Sequence, residues 1–112
     1  MEIIFTDGND ERFVDLCHDL DEYLNCIVGG EKQIKRYTQY NTLESIHDVA
    51  LIIEEGKAVA CGGFKEYESG IAEVKRVFTK KGCRNRGYGK AIMKELETRA
   101  PNKGYTKLRL ET

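Results

Sequence analysis

The stretch CRNRGYGKAIM, residues 83–93, decides how this chain is read. Three cations, Arg84, Arg86 and Lys90, surround two glycines, Gly87 and Gly89. The stretch then runs into a helical pattern: Tyr88, Ile92, Met93, Leu96 and Ala100 recur at i+4 and i+3 spacing, and Pro101 stops it. A helix start has N–H groups without intrahelical partners and a partial positive charge. Glycines ahead of it let the backbone approach an anion closely, and arginines add charge-assisted hydrogen bonds. The pattern therefore predicts a phosphate or pyrophosphate site at the start of a helix over 87–100. It is neither the Walker A loop nor the full dinucleotide G-x-G-x-x-G, because the third glycine position is Ile92.

Charge distribution agrees. From Val74 to Lys94 there are eight basic residues and no acidic one, so the formal net charge of −1 hides a basic segment inside an otherwise acidic chain. Such a run is usually a solvated face; here it overlaps the glycine motif, which favours an anion site. With 112 residues, 40% of them hydrophobic and 33% charged, the chain suits one small globular domain over 1–112. No apolar run approaches the roughly 20 residues of a membrane span, and the first residues do not resemble a secretory leader. The reading is a cytoplasmic protein with no membrane partner. Cys17, Cys26, Cys61 and Cys83 lack C-x-x-C spacing and are expected to be reduced thiols, and no zinc spacing is present, so no metal is expected.

The rest of the chain supplies an α/β frame around the motif. Residues 2–5 are a strand candidate, and Gly8-Asn9-Asp10 a turn and helix cap. Phe13, Leu16, Cys17, Leu20, Leu24 and Ile27 form one helical stripe that Gly29-Gly30 ends, and 31–40 reads as a second short helix. Residues 49–53 are a continuous apolar strand, Glu55-Gly56 a turn, and 57–64 the returning strand of a hairpin. Gly62-Gly63 inside that strand predicts a bulge or the close approach of another backbone. A third strand covers Ile71–Thr79. Strict alternation there leaves charges on both faces, which a bulge near 75–77 would resolve. Leu108 and Leu110 alternate with charged residues in a last strand, expected to lie parallel to the third through a helical crossover.

Arg84-Asn85-Arg86-Gly87-Tyr88-Gly89, in this strand–loop–helix–strand setting, resembles the R-x-x-G-x-G signature of the GNAT superfamily of N-acetyltransferases. The resemblance covers nearly the whole chain and implies a GNAT-like acyl-CoA N-acyltransferase fold that uses acetyl-CoA. It implies that Val77, Phe78 and Thr79 line the pantetheine arm. It implies that Arg84, Asn85, Arg86, Gly87, Tyr88, Gly89, Lys90 and Ala91 form the pyrophosphate loop and helix start. Glu73 matches in position the strand glutamate that acts as general base in the histone acetyltransferase branch; a partner for Lys75 or Arg76 is the competing reading of that carboxylate. Tyr37, Tyr40 and Phe64 would flank the acceptor pocket, or be ordinary core or surface aromatics.

The resemblance also implies a further helix and two strands after Leu108–Thr112, with a tyrosine that protonates the leaving thiolate. The 112 residues hold neither, so the fold is expected to lack its last helix and strands, and the chain to be a fragment or to be completed by a partner. A homodimer through the open strand edge is expected. The leading reading is an N-acetyltransferase in which a small-molecule or peptide amine attacks acetyl-CoA directly. A CoA-binding module without turnover is the alternative. Nucleic-acid binding is disfavoured, because the basic run has few interleaved aromatics and the pI is about 6.1.

Overall fold

Val49 to Ile53 are apolar without alternation because the strand they form is covered on both faces. In the computed structural model, which describes residues 2–28 and 43–110 and only the backbone of 24–28 and 44, β2 (Asp48–Glu54) is buried from Val49 to Ile53. Val49, Leu51 and Ile53 pack with Phe13, Leu16 and Cys17 of α1 (Glu11–Val28). Ala50 and Ile52 pack on the other side with Ile92 and Leu96 of α2 (Tyr88–Arg99). Burying each large apolar side chain stabilises the fold by about 1.5–3 kcal/mol.

The sheet is completed by β1 (Glu2–Thr6), β3 (Lys57–Glu68), β4 (Ile71–Thr79) and β5 (Lys107–Leu110), in the order β1-β2-β3-β4-β5. The first four strands pair antiparallel, and β5 pairs parallel to β4, as the crossover through α2 predicted. Glu55 and Gly56 both have positive φ, 51° and 78°, which suits a two-residue hairpin turn between β2 and β3. β3 is longer than the predicted 57–64. Its exposed end, to Glu68, carries no burial pattern and is held by pairing with Ile71, Ala72 and Glu73. The predicted helix over 31–40, with Tyr37 and Tyr40, lies outside the described residues.

Asp10 caps α1: its Oδ1 accepts the Arg12 N–H at 2.9 Å, while its carbonyl accepts the Val14 N–H at 3.0 Å. Gly62-Gly63 marks a close approach of neighbouring elements, not a bulge of its own strand. A Cβ on Gly62 would lie 2.5 Å from Ile92 Cγ2, and one on Gly63 would lie 2.8 Å from the Asp48 carbonyl oxygen. The missing side chain at 62 is what lets α2 sit directly on the sheet. Opposite Gly62, β4 carries an extra residue: Cys61 pairs with Phe78 and Gly63 with Lys75, so Arg76 and Val77 face a single partner. This is the bulge predicted near 75–77.

Candidate active site

The bulge settles where the charges of β4 go. Before it, Glu73 and Lys75 lie on the α1 side and Ala72 and Val74 in the α2-side core. Simple alternation would drive Arg76 into that apolar core. Instead Arg76 takes a left-handed conformation, φ 59°, and its guanidinium reaches Asp21 of α1 at 2.5 Å. A non-glycine residue there costs roughly 1–2 kcal/mol, and the fold secures it from two sides. Asp21 holds the side chain, and the Cys61 thiol donates to the Arg76 carbonyl at 3.3 Å. The Cys17 thiol and burial push the Cys61 thiol up, so it stays a protonated donor.

After the bulge, the strand returns to register with Phe78 buried against α1. β5 pairs with β4 only from Ile71 to Val74. Among the described residues no strand lies beside the outer edge of β4 from Lys75 to Thr79. The loop after β4 folds back on that edge. Arg84 Nε donates to the Thr79 carbonyl at 3.3 Å, and its guanidinium stacks 4.6 Å from the Tyr23 ring and 5.9 Å from that of Phe78. Asn85, with φ 66°, and Gly87, with φ 77°, reverse the chain into α2. Gly87 provides no side-chain cap. The Ala91 N–H bonds the Gly87 carbonyl at 3.0 Å, which leaves the first-turn N–H groups of Tyr88, Gly89 and Lys90 for an external acceptor. A Cβ at either Gly87 or Gly89 would meet nothing within 4 Å, so the space before these donors is open. Arg86 is exposed, and the nearby Tyr88 hydroxyl raises its guanidinium.

The donor set suits a pyrophosphate: three aligned backbone N–H groups, a helix dipole, and exposed Arg84, Arg86 and Lys90. An open strand edge leading away from it suits an extended amide-bearing arm. The residues present therefore fit CoA.

Glu73 has both carboxylate oxygens engaged. Lys75 Nζ lies 3.0 Å from Oε1 and Arg109 Nε 3.2 Å from Oε2. Phe64 is fully buried in the α2-side core, edge-on to Tyr105 with ring centroids 5.8 Å apart. The residues brought together here without having been singled out from sequence are Asp21, Tyr23 and Arg109. Asp21 and Tyr23 sit on a helix whose stripe explains only its apolar positions, so nothing local marked them. Arg109 was one charge of an alternating strand; its register opposite Glu73 exists only in the folded sheet.

A family model described as acetyltransferase (GNAT) family matches residues 13–112. Solved structures superpose over nearly the whole chain. One is a Klebsiella pneumoniae protein described as an acyl-CoA N-acyltransferase, 26% identical, TM-score 0.74, covering 99% of this chain and 70% of that one. Another is a Pyrococcus furiosus protein described as an acetyl transferase, 17% identical, TM-score 0.76, covering 99% and 83%. A third is the aminoglycoside N-acetyltransferase AAC(6')-Iy in complex with CoA, 15% identical, TM-score 0.66, covering 99% and 78%. A search of curated proteins finds no match. The mixed five-stranded sheet is thus that of the acyl-CoA N-acyltransferases. The chain belongs to the GNAT acetyltransferase family.

Proposed function

We propose that this protein transfers the acetyl group of acetyl-CoA to a primary amine by direct attack. The observation that carries the reading is the outer edge of β4 past the bulge at Arg76–Val77, beside which no strand lies among the described residues and which runs to the α2 start. Acetyl-CoA, when bound, supplies a thioester carbonyl open to an amine nucleophile. The chain supplies the rest. The N–H groups of Tyr88, Gly89 and Lys90, with Arg84 and Arg86, hold the pyrophosphate. The Lys80 N–H bonds Val59 of β3 at 2.8 Å, so alternation turns the N–H groups of Val77 and Thr79 outward. They hold the pantetheine arm and stabilise charge developing on the carbonyl oxygen. Holding amine and thioester together is the main rate contribution. Glu73 accepts the amine proton, directly or through water.

CoA release with a panel of amines tests the reading. Glu73→Gln is expected to lower turnover and change its pH dependence while leaving CoA affinity intact; equal pH–rate profiles for both proteins exclude Glu73 as the base. A second reading, CoA binding without turnover, is favoured by one observation: both Glu73 oxygens are already paired with cations. Saturable CoA binding with no transfer to any amine would establish it. Self-association through the β5 edge, where Leu110 is 62% exposed, belongs to the same proposal. Light scattering over a dilution series checks it, and a monomer at all concentrations refutes it.

A further inference from the structure

The surroundings of Glu73 specify an acceptor chemistry. On the α1-facing side of the sheet, Lys65 of β3, Glu73 of β4 and Arg109 of β5 stand directly opposite one another in register. Lys75, two residues along β4, completes the group. Glu73 Oε1 is 3.0 Å from Lys75 Nζ and Oε2 is 3.2 Å from Arg109 Nε. Lys65 Nζ lies 3.2 Å from Ser45 Oγ. The Arg109 guanidinium also lies 4.0 Å above the Tyr67 ring, which fixes its plane. Among the described residues the row is one carboxylate among three cations.

A lone ammonium ion is a poor visitor here. It must displace a cation that Glu73 already holds. An acceptor that carries a carboxylate beside its amine meets no such conflict. Its carboxylate takes the fork of Arg109, a planar group suited to bidentate pairing. That pairing draws Arg109 from Glu73 Oε2, and the acceptor's own ammonium takes the vacated oxygen. One ion pair becomes two, and the carboxylate that must accept a proton meets the amine that must lose it. Arg109 is the accessible member of the row: its side chain is 38% exposed against 14% for Glu73 and 15% for Lys75.

We infer that the acceptor is an amino-carboxylate, an amine with a carboxylate on the adjacent carbon as in an α-amino acid, and that Arg109 reads the carboxylate while Glu73 receives the ammonium. The inference rests on the transfer reading above and names its substrate class. No such reading follows from the acidic balance of the whole chain, which by itself suits a purely cationic amine.

The test compares the common α-amino acids with their methyl esters, in the CoA-loaded protein for binding by calorimetry and with acetyl-CoA for turnover. The expected result is a preference for the free carboxylate of about tenfold or more in Kd or kcat/KM, the scale of one charge-assisted hydrogen bond. Arg109→Gln is expected to bring that preference to within about threefold of one, and Arg109→Lys, which keeps the charge but not the fork, to restore part of it. Equal use of acids and esters, or equal losses for both in Arg109→Gln, overturns the inference while leaving acetyl transfer standing. Carboxylate-dependent binding with no turnover does the reverse, sinking the transfer reading and keeping the acceptor class.

Discussion

Replacing Asp21 by alanine should destabilise this fold more than any other single surface change on α1. Asp21 pairs with Arg76, whose side chain is 3% exposed, while the aspartate side chain is 24% exposed. Removing the carboxylate takes an ion-pair partner from a guanidinium buried between α1 and β4, in a residue already held at φ 59°. Breaking a buried pair from one side costs about 3–5 kcal/mol; the partial exposure of Asp21 places the loss near the low end, about 3 kcal/mol. A chain of this size has roughly 6–17 kcal/mol to lose, and the melting temperature should drop by about 12–24 °C. Arg76→Met has a different outcome. It replaces the buried cation by a flexible apolar chain and leaves an aspartate that can turn to water, so its cost should stay below about 1 kcal/mol. The double variant should recover most of the Asp21→Ala loss. Urea unfolding followed by circular dichroism measures all three. An Asp21→Ala protein within about 0.5 kcal/mol of the parent, or a double variant no better than that single one, would show that this pair does not hold the bulge.

Gly62→Ala places a methyl group 2.5 Å from Ile92 Cγ2, so α2 must shift off the sheet; a loss of about 1–3 kcal/mol in unfolding free energy is expected, together with weaker CoA binding because the helix start moves with it. Arg84→Ala and Arg86→Ala should each weaken CoA binding by about 1.5–3 kcal/mol in calorimetry, but acetyl-pantetheine, which lacks the pyrophosphate, should lose far less. Equal losses for the two ligands would make these arginines structural. The hydrogen bond from Arg12 holds the Asp10 carboxyl down to about 2 from its ordinary 3.8. The unfolded chain therefore takes up the proton first, so the stabilisation is complete above pH 3.8 and is lost as pH falls through about 2. Asp10→Asn should flatten that acid limb in pH-dependent melts.

Much of the fold was legible because it rests on short-range signals. The α2 stripe ended by Pro101, the Glu55-Gly56 turn and the doubly buried run of β2 each specify local structure without a partner. The bulge was legible too, since charges on both faces of Ile71–Thr79 conflict with a strand whose Ala72 and Val74 lie in a core. The sequence did not disclose what holds it. Asp21 and Arg76 are 55 residues apart, and Cys61 and Arg76 are 15. Glu73 was recognisable as a candidate by its position before the glycine motif. Its pairing with Arg109 depends on β5 register, which no local pattern encodes. The polar end of β3, from Lys65 to Glu68, looked like loop because its residues gain their pairing from β4 and bury little.

In this reading one continuous surface, from the open edge of β4 to the start of α2, receives CoA. Backbone amide shifts recorded by NMR while CoA is added to the 15N-labelled protein test it residue by residue. Saturable changes are expected at Val77, Phe78, Thr79 and from Arg84 to Ala91, with the N–H groups of Tyr88, Gly89 and Lys90 among the most perturbed. No saturable change, or changes centred on β1 and the start of α1, would contradict it.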